Sequence, residues 1–118
     1  MIRVVDVETS WQVTENGGYD PSPFHPDNIL VSVGIDDEYF FTNHSEKIDK
    51  GCFHKIQELL DTTTLLVGHN IKFDLMWLLE AGFKYNGRVY DTMLGEYILN
   101  RGIRKSLTLE MCCRRRKI

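Results

Sequence analysis

Hydrophobic and polar residues alternate at the start of the chain in a way that predicts a strand over residues 2–8. Because strand side chains repeat with a period of two, one face would carry Ile2, Val4, Asp6 and Glu8. The two carboxylates would lie roughly 6.5 Å apart, from about 3.3 Å of rise per residue. On a buried strand such like charges repel and lose hydration unless a cation joins them. A hard divalent cation with oxygen ligands is the natural bridge, and the alternative is that both acids face water.

The rest of the hydrophobic pattern predicts strands first and strands alternating with helices later. Prolines and a Gly-Gly pair make residues 10–27 a loop. Gly82 is expected to end a helix as a C-cap, and Asp36-Asp37 to form a tight hairpin. The predicted strands are 29–35, 38–43, 64–68 and 87–90, and the predicted helices are 46–61, 70–81, 92–100 and one from about 106. This order favours an α/β sheet.

One carboxylate interrupts the otherwise apolar helix predicted at 70–81. Helical core spacing is followed by Ile71, Leu75, Leu78 and Leu79, and Phe73, Met76 and Trp77 fill most of the remaining surface. Asp74 is the exception, with Asn70 one turn before it. A lone carboxylate in these surroundings is costly unless it is paired or binds a metal. A salt bridge to Lys72 or an edge in solvent are the alternatives.

Two motifs give the chain a family resemblance. The segments Asp6-Val7-Glu8-Thr9 and Gly68-His69-Asn70-Ile71-Lys72-Phe73-Asp74-Leu75 resemble the first and second motifs of the DEDD (DnaQ-like, ribonuclease H-fold) 3′–5′ exonucleases, which proofread for DNA polymerases. Residues 90–94 and 96–100 are similar to the same domain of family A (DNA polymerase I-like) polymerases, with a phage-like character. The resemblance extends from residue 2 to about residue 111.

The chain departs from this family at the third motif, a late Tyr-x-x-x-Asp or His-x-x-x-Asp. Asp91 is the only aspartate after Asp74, and the residue four places before it is Gly87. We therefore interpret Asp91 as the N-cap of the helix that begins at Thr92. The chain is expected to be one exonuclease-like domain over residues 1–118, truncated at its C-terminus before the last catalytic helix.

The resemblance implies a ribonuclease H-like mixed sheet: three antiparallel strands, then β-α-β units, flanked by helices. It also places the first strand beside the strand at 64–68, where Asp6, Glu8 and Asp74 would meet. These three acids are the predicted catalytic residues and the predicted ligands of two Mg²⁺ (or Mn²⁺) ions. Asp6 would bridge both ions, Glu8 would bind the water-activating ion, and Asp74 the second. Two such ions hydrolyse the 3′-terminal phosphodiester and release nucleoside 5′-monophosphates.

The predicted partners are the 3′ end of single-stranded DNA and a polymerase domain in the same parent chain. The strand would contact Thr9, Ser10, Trp11, Asn70 and Phe73. An exposed tryptophan can stack on an unpaired base, although Trp11 could equally cover the core, and core packing is the favoured role of Phe73. Without a fourth carboxylate, the isolated chain is expected to be weak or inactive.

Composition indicates a globular protein in the cytoplasm, or in the host cytoplasm if the chain is phage-encoded. It is 42% hydrophobic and 26% charged, with no apolar run near the ~20 residues of a membrane helix and no secretory leader. Cys52, Cys112 and Cys113 are expected to be reduced thiols. Residues 1–50 hold ten acids and three bases, whereas residues 51–118 hold seven acids and eleven bases. The basic run at 114–117 could meet phosphates or simply end a solvated helix.

Two other functions remain open from the sequence. One is a non-catalytic module that retains the fold and binds single-stranded DNA or a polymerase, as the missing fourth carboxylate suggests. The other is a different ribonuclease H-fold metal nuclease that cuts RNA–DNA hybrids or junctions internally, which the Asn-x-x-Phe-Asp motif disfavours.

Overall fold

The computed structural model describes residues 1–42, 48–103 and 105–118. Its elements, in chain order, are β1 (Ile2–Thr9), β2 (Gln12–Val13), β3 (Tyr19–Asp20), β4 (Leu30–Ile35), β5 (Glu38–Phe41), α1 (Lys50–Asp61), β6 (Leu65–Gly68), α2 (Ile71–Glu80), β7 (Arg88–Asp91), α3 (Thr92–Leu99) and α4 (Leu109–Arg116). Strands therefore precede the alternation of helices and strands, as the hydrophobic pattern predicts.

Five of these strands form one mixed sheet in the order β5-β4-β1-β6-β7. β1 pairs antiparallel with β4 and parallel with β6, and β6 pairs parallel with β7. The prediction that the first strand lies beside the strand near 64–68 is confirmed. The architecture is a mixed α/β sheet flanked by helices, compatible with a ribonuclease H-like fold.

The core lies between one face of this sheet and the helices α1 and α2. The buried residues of this cluster are Val5, Val7, Leu30, Val33, Ile35, Ile56, Leu60, Leu66, Ile71, Trp77, Leu78 and Phe83. The side chains of β1 that point into the core are therefore the odd-numbered valines. The face that carries Asp6 and Glu8 is open instead, since Ile2 is 64% exposed and Val4 54%. The expectation that the acids share a buried face is wrong.

The elements begin and end at local capping signals, some of which shift the predicted boundaries. The Asp49 side chain accepts a hydrogen bond from the Cys52 amide and starts α1 at Lys50. The predicted start at 46 lies outside the described residues, as does the predicted strand end at 43. Thr108 caps α4 in the same way, so that helix begins at Leu109.

Turn residues account for three further boundaries. Asp36 adopts a φ of 53° in the β4–β5 turn, which confirms the hairpin. Gly82 has a φ of +100° directly after α2, which confirms its role in ending that helix. The predicted loop at 10–27 contains a small hairpin in which β2 pairs with β3. Its strands are only two residues long each, too short for a periodic pattern to reveal.

Candidate active site at the carboxyl end of the central strand

The two acids of the first motif lie where β1 extends beyond its parallel neighbour. Residues 2–4 of β1 pair with residues 65–67 of β6. On its other side β1 remains paired with β4, with Asp6 opposite Gly34 and Glu8 opposite Ser32. A register shift follows directly between Glu8 and Thr9, the kind of irregularity that bends a strand and redirects its side chains. Both acids are exposed at this edge.

The third acid reaches the same edge from the helix that follows β6. Asp74 lies in the first turn of α2, which packs on the valine face of β1. Its carboxyl group nonetheless meets the β1 backbone, because it accepts a hydrogen bond from the Val7 amide. A Cβ atom on Gly68 would lie 3.3 Å from Asp74 Oδ2, so the glycine leaves room for this approach.

Burial and neighbouring charge both disfavour the ionised form of Asp74. The residue is only 4% exposed. Desolvation is the main cause that raises its pKa from 3.8 to about 7, and the negative charge of Asp6 is the second. Asp91 and Glu8 raise the pKa further, whereas the Val7 hydrogen bond lowers it. The negative charges of Asp6 and Glu8 therefore act on the Asp74 carboxyl group.

One oxygen of the Asp74 carboxyl group lacks a partner. Oδ2 is buried and accepts no hydrogen bond from the described residues. None of the ion pairs within residues 1–42, 48–103 and 105–118 includes Asp74. A salt bridge to Lys72 and an edge in solvent, the two alternatives from the sequence, therefore do not describe this residue.

The donor chemistry of the site suits a hard cation, although its ligand shell is not closed. Carboxylate oxygens are the ligands that Mg²⁺ prefers, and it keeps several waters when bound to one or two carboxylates. Within the described ranges, no three histidine, cysteine, aspartate or glutamate side chains are grouped closely enough to hold a metal ion. The unpartnered Asp74 oxygen and the nearby acids are of the chemical type that binds such a cation, but they do not surround a cation site.

The rim of the site is built on the first turn of α2 and the start of α3. Asn70 has φ 59° and ψ 51°, a left-handed conformation that asparagine tolerates. Its backbone N–H donates to Asp91 Oδ1 at 2.9 Å, and the same oxygen accepts from the Met93 amide at 2.9 Å. The prediction that Asp91 caps α3 is confirmed. The Asn70 side chain is left exposed and makes no capping bond.

His69 joins three parts of the chain, whereas its position in the sequence, just before a helix, favours only a surface or capping role. Its Nδ1 lies 2.9 Å from Thr92 Oγ1, and its Nε2 lies 2.5 Å from the Leu107 carbonyl oxygen. The imidazole therefore ties the segment before α4 to the rim of the acidic site. The only local signal was its position between a strand and a helix, because one partner lies 38 residues away.

The remaining predicted strand contacts divide into structural and exposed residues. The Ser10 hydroxyl accepts a hydrogen bond from the Ile29 amide at 2.7 Å, and Thr9 pairs with Leu30. Phe73 packs against the core cluster, the role favoured for it from the sequence. Trp11 is 52% exposed and forms an edge-to-face pair with Tyr19, with ring centroids 4.4 Å apart.

The basic run near the end of the chain holds two helices together. Arg115 and Arg116 contact the buried Glu96 carboxylate of α3 at 3.0 and 3.1 Å. Hydrogen bonds from these two guanidinium groups lower the pKa of Glu96. Arg114 pairs with Glu110 one turn earlier at 3.0 Å. Three of the four basic side chains in the run are therefore ion-paired, and they share two carboxylates.

The sheet order and the flanking helices define a mixed α/β domain compatible with a ribonuclease H-like fold. The chain belongs to the 3′–5′ exonuclease family of the DNA polymerase A type, whose model matches residues 14–112. Asp74 lies inside the matched segment, while Asp6 and Glu8 precede it. No curated protein matches the chain. In the described part of the chain, no helix has the length and apolar character needed to cross a membrane.

Proposed function

We propose that this chain is the proofreading 3′–5′ exonuclease domain of a DNA polymerase and that Asp6, Glu8 and Asp74 are its catalytic carboxylates. The observation that supports this proposal is the Asp74 carboxyl group, which is buried with an unpartnered oxygen and senses the charges of Asp6 and Glu8. Keeping a carboxylate in such a place costs stability, and cation binding gives a functional reason for it.

In this proposal Asp6, Glu8 and Asp74 would hold two divalent cations, Mg²⁺ or Mn²⁺. Such ions generate hydroxide from bound water at neutral pH and stabilise the charge on a leaving 3′ oxygen. The chain contributes the negative charge that concentrates cations at this edge. It also contributes rigidity: the Val7 amide orients Asp74, and pairing with β4 fixes the backbone of Asp6 and Glu8. The products would be nucleoside 5′-monophosphates.

The terminal nucleotide of single-stranded DNA would lie over this edge, against Thr9 and the Asn70 side chain. Asn70 is suited to a strand contact because its backbone N–H is already bound by Asp91, while its side-chain amide is exposed. The polymerase domain would follow in the same parent chain. Because the acids do not enclose a cation, we expect the isolated chain to cleave slowly.

The test is cleavage of a 5′-labelled single-stranded oligonucleotide by excess protein, with Mn²⁺ or Mg²⁺ titrated from zero. We expect slow, cation-dependent shortening in steps of one nucleotide from the 3′ end. Asp6→Asn and Asp74→Asn should each abolish it, because each removes a ligand charge. Asp37→Asn is the matched control, since Asp37 is exposed in the β4–β5 turn and should leave the rate unchanged.

Two results would contradict the proposal in different ways. Internal cuts would indicate another kind of ribonuclease H-like nuclease. Binding of the oligonucleotide without cleavage at any cation concentration would indicate the second candidate, a module that retains the fold and binds DNA. The open ligand shell favours that candidate, whereas the buried orphaned oxygen of Asp74 favours catalysis.

A further inference from the structure

A pair of exposed aromatic rings stands beside the acidic edge. Trp11 follows Glu8 by three residues, a distance of at most about 11 Å along an extended chain. Its ring packs edge-to-face on Tyr19, which is 67% exposed and belongs to β3. Edge-to-face packing leaves ring surface available for another aromatic group. We call Trp11 and Tyr19 the aromatic pair.

The hairpin that carries the aromatic pair is anchored at its base. Asn28 is 8% exposed, and its amide nitrogen donates to the carbonyl oxygens of Asp20 and Ser22, both at 2.9 Å. The Trp77 indole N–H, inside the core, donates to the Pro21 carbonyl at 3.0 Å. These bonds hold the end of β3 in place, so that Tyr19 is positioned before any ligand arrives, which reduces the entropic cost of binding.

The charge around the aromatic pair limits what can dock there. Residues 4–46, which include the aromatic pair and the acids of the first motif, contain no lysine or arginine. Asp6, Glu8, Glu15 and Asp20 lie in the same stretch of chain. These acids disfavour a phosphate backbone at the aromatic pair, whereas an uncharged base meets no such repulsion.

We propose that the aromatic pair is a stacking platform for the unpaired bases next to the 3′-terminal nucleotide. The proposal rests on the proposed exonuclease function. A paired base has both faces covered by its neighbours, whereas an unpaired base can place a face on an aromatic side chain. The competing role of the rings is to stabilise the hairpin by cross-strand packing.

The test is the binding of two 5′-labelled strands with the same number of phosphates, measured by fluorescence anisotropy in Ca²⁺. One strand is an eight-nucleotide oligothymidylate. The other is the same strand with abasic residues at the three positions before the 3′-terminal nucleotide. Gel analysis confirms that both stay intact. We expect the wild type to prefer the strand with bases, and Trp11→Ala or Tyr19→Ala to weaken its binding by about fivefold or more. Neither variant should change the affinity for the abasic strand.

Matched variants separate stacking from a purely structural effect. Trp11→Phe keeps a ring and should bind nearly as well as the wild type. Tyr97→Ala removes a tyrosine of similar exposure, 49% against 52% for Trp11, from α3 and should change nothing. Far-UV circular dichroism identifies any alanine variant that fails to fold. In that case Trp11→Phe is the remaining test, because the platform requires it to bind the strand with bases more tightly than the abasic strand. Quenching of tryptophan emission by the oligothymidylate, lost in Trp11→Phe, would show direct contact.

Three outcomes would overturn the platform. The first is equal affinity of the wild type for the two strands. The second is equal loss of both affinities in Trp11→Ala, which would indicate a structural role only. The third is unchanged binding in both alanine variants. Each is distinguishable from failure of the proposed function, because binding in Ca²⁺ requires no cleavage. If the chain cleaves DNA but binds both strands equally, the exonuclease proposal stands and the stacking platform is refuted.

Discussion

Replacing Asp74 by asparagine should stabilise the metal-free protein increasingly as the pH rises from about 4 to about 7. The asparagine is nearly isosteric, and its carbonyl oxygen can still accept the hydrogen bond from the Val7 amide. The substitution therefore removes the buried negative charge and retains the shape of the site.

The pKa of Asp74 determines the size of this effect and its pH range. The pKa rises from 3.8 to about 7 on folding. Because the folded-state value is the higher one, the carboxyl group's contribution to stability is fully present below about pH 4 and is lost as the pH rises through about 7. Each pKa unit corresponds to about 1.4 kcal/mol. The free energy of unfolding of the wild type should thus fall by up to about 4 kcal/mol between pH 4 and pH 8, relative to the variant.

Urea unfolding in EDTA, followed by far-UV circular dichroism between pH 4 and pH 8, measures the difference. The curves of wild type and Asp74→Asn should separate progressively from pH 4 upward, with the variant more stable. Asp37→Asn, the exposed control, should follow the wild type. Adding Mg²⁺ at pH 8 should stabilise the wild type more than Asp74→Asn, because a ligand that binds only the folded state adds to its stability.

Parallel pH profiles for wild type and Asp74→Asn would refute this reasoning. They would mean that the Asp74 carboxyl group is hydrated in the folded protein, so that no buried charge would remain for a cation to neutralise. If Asp74→Asn is more stable but Mg²⁺ does not stabilise the wild type, the Asp74 charge is buried in the folded protein. That result would also show that Asp74 binds no Mg²⁺.

Two further substitutions test the surroundings of the site. Gly68→Ala places a Cβ atom 3.1 Å from Ile71 Cγ1 and 3.3 Å from Asp74 Oδ2. It should lower the free energy of unfolding by about 1–3 kcal/mol, and an unchanged urea midpoint would show that the helix shifts without cost. Asp91→Ala removes the α3 cap and the acceptor for the Asn70 amide. It should cost about 0.5–2 kcal/mol and speed amide exchange at the start of α3, and unchanged exchange would contradict the capping role.

Much of the fold could be predicted because its signals are local. The β1 strand, the Asp36-Asp37 hairpin and the end of α2 at Gly82 each depend on residues within a few positions of one another. The same is true of Asp91, which caps the helix that it directly precedes. The start of α1 differs from the prediction because the Asp49 side chain caps the helix at Lys50, whereas the apolar spacing already begins at Ile48.

Other features could not be predicted because their partners are distant in sequence. Helical spacing placed Leu79 in the core, yet Leu79 is 54% exposed and Trp77 only 4%. Both side chains fit the pattern of an apolar helix. Only the packing of the helix in the fold decides which of them is buried. The contact of His69 with the Leu107 carbonyl likewise has no local signal, because the two residues meet only after the chain folds back.

By itself, the sequence determined the kinds and the order of the longer elements and the three acids that interrupt apolar segments, because each depends on residue type and short spacing. The tertiary structure alone decided which face of β1 is buried. Val5 and Val7 point into the core, while Asp6 and Glu8 stay exposed, since either set of alternating side chains could have met the helices. It also decided that Asp74 meets the β1 backbone beyond the end of β6, because that contact depends on the parallel register of two strands about sixty residues apart.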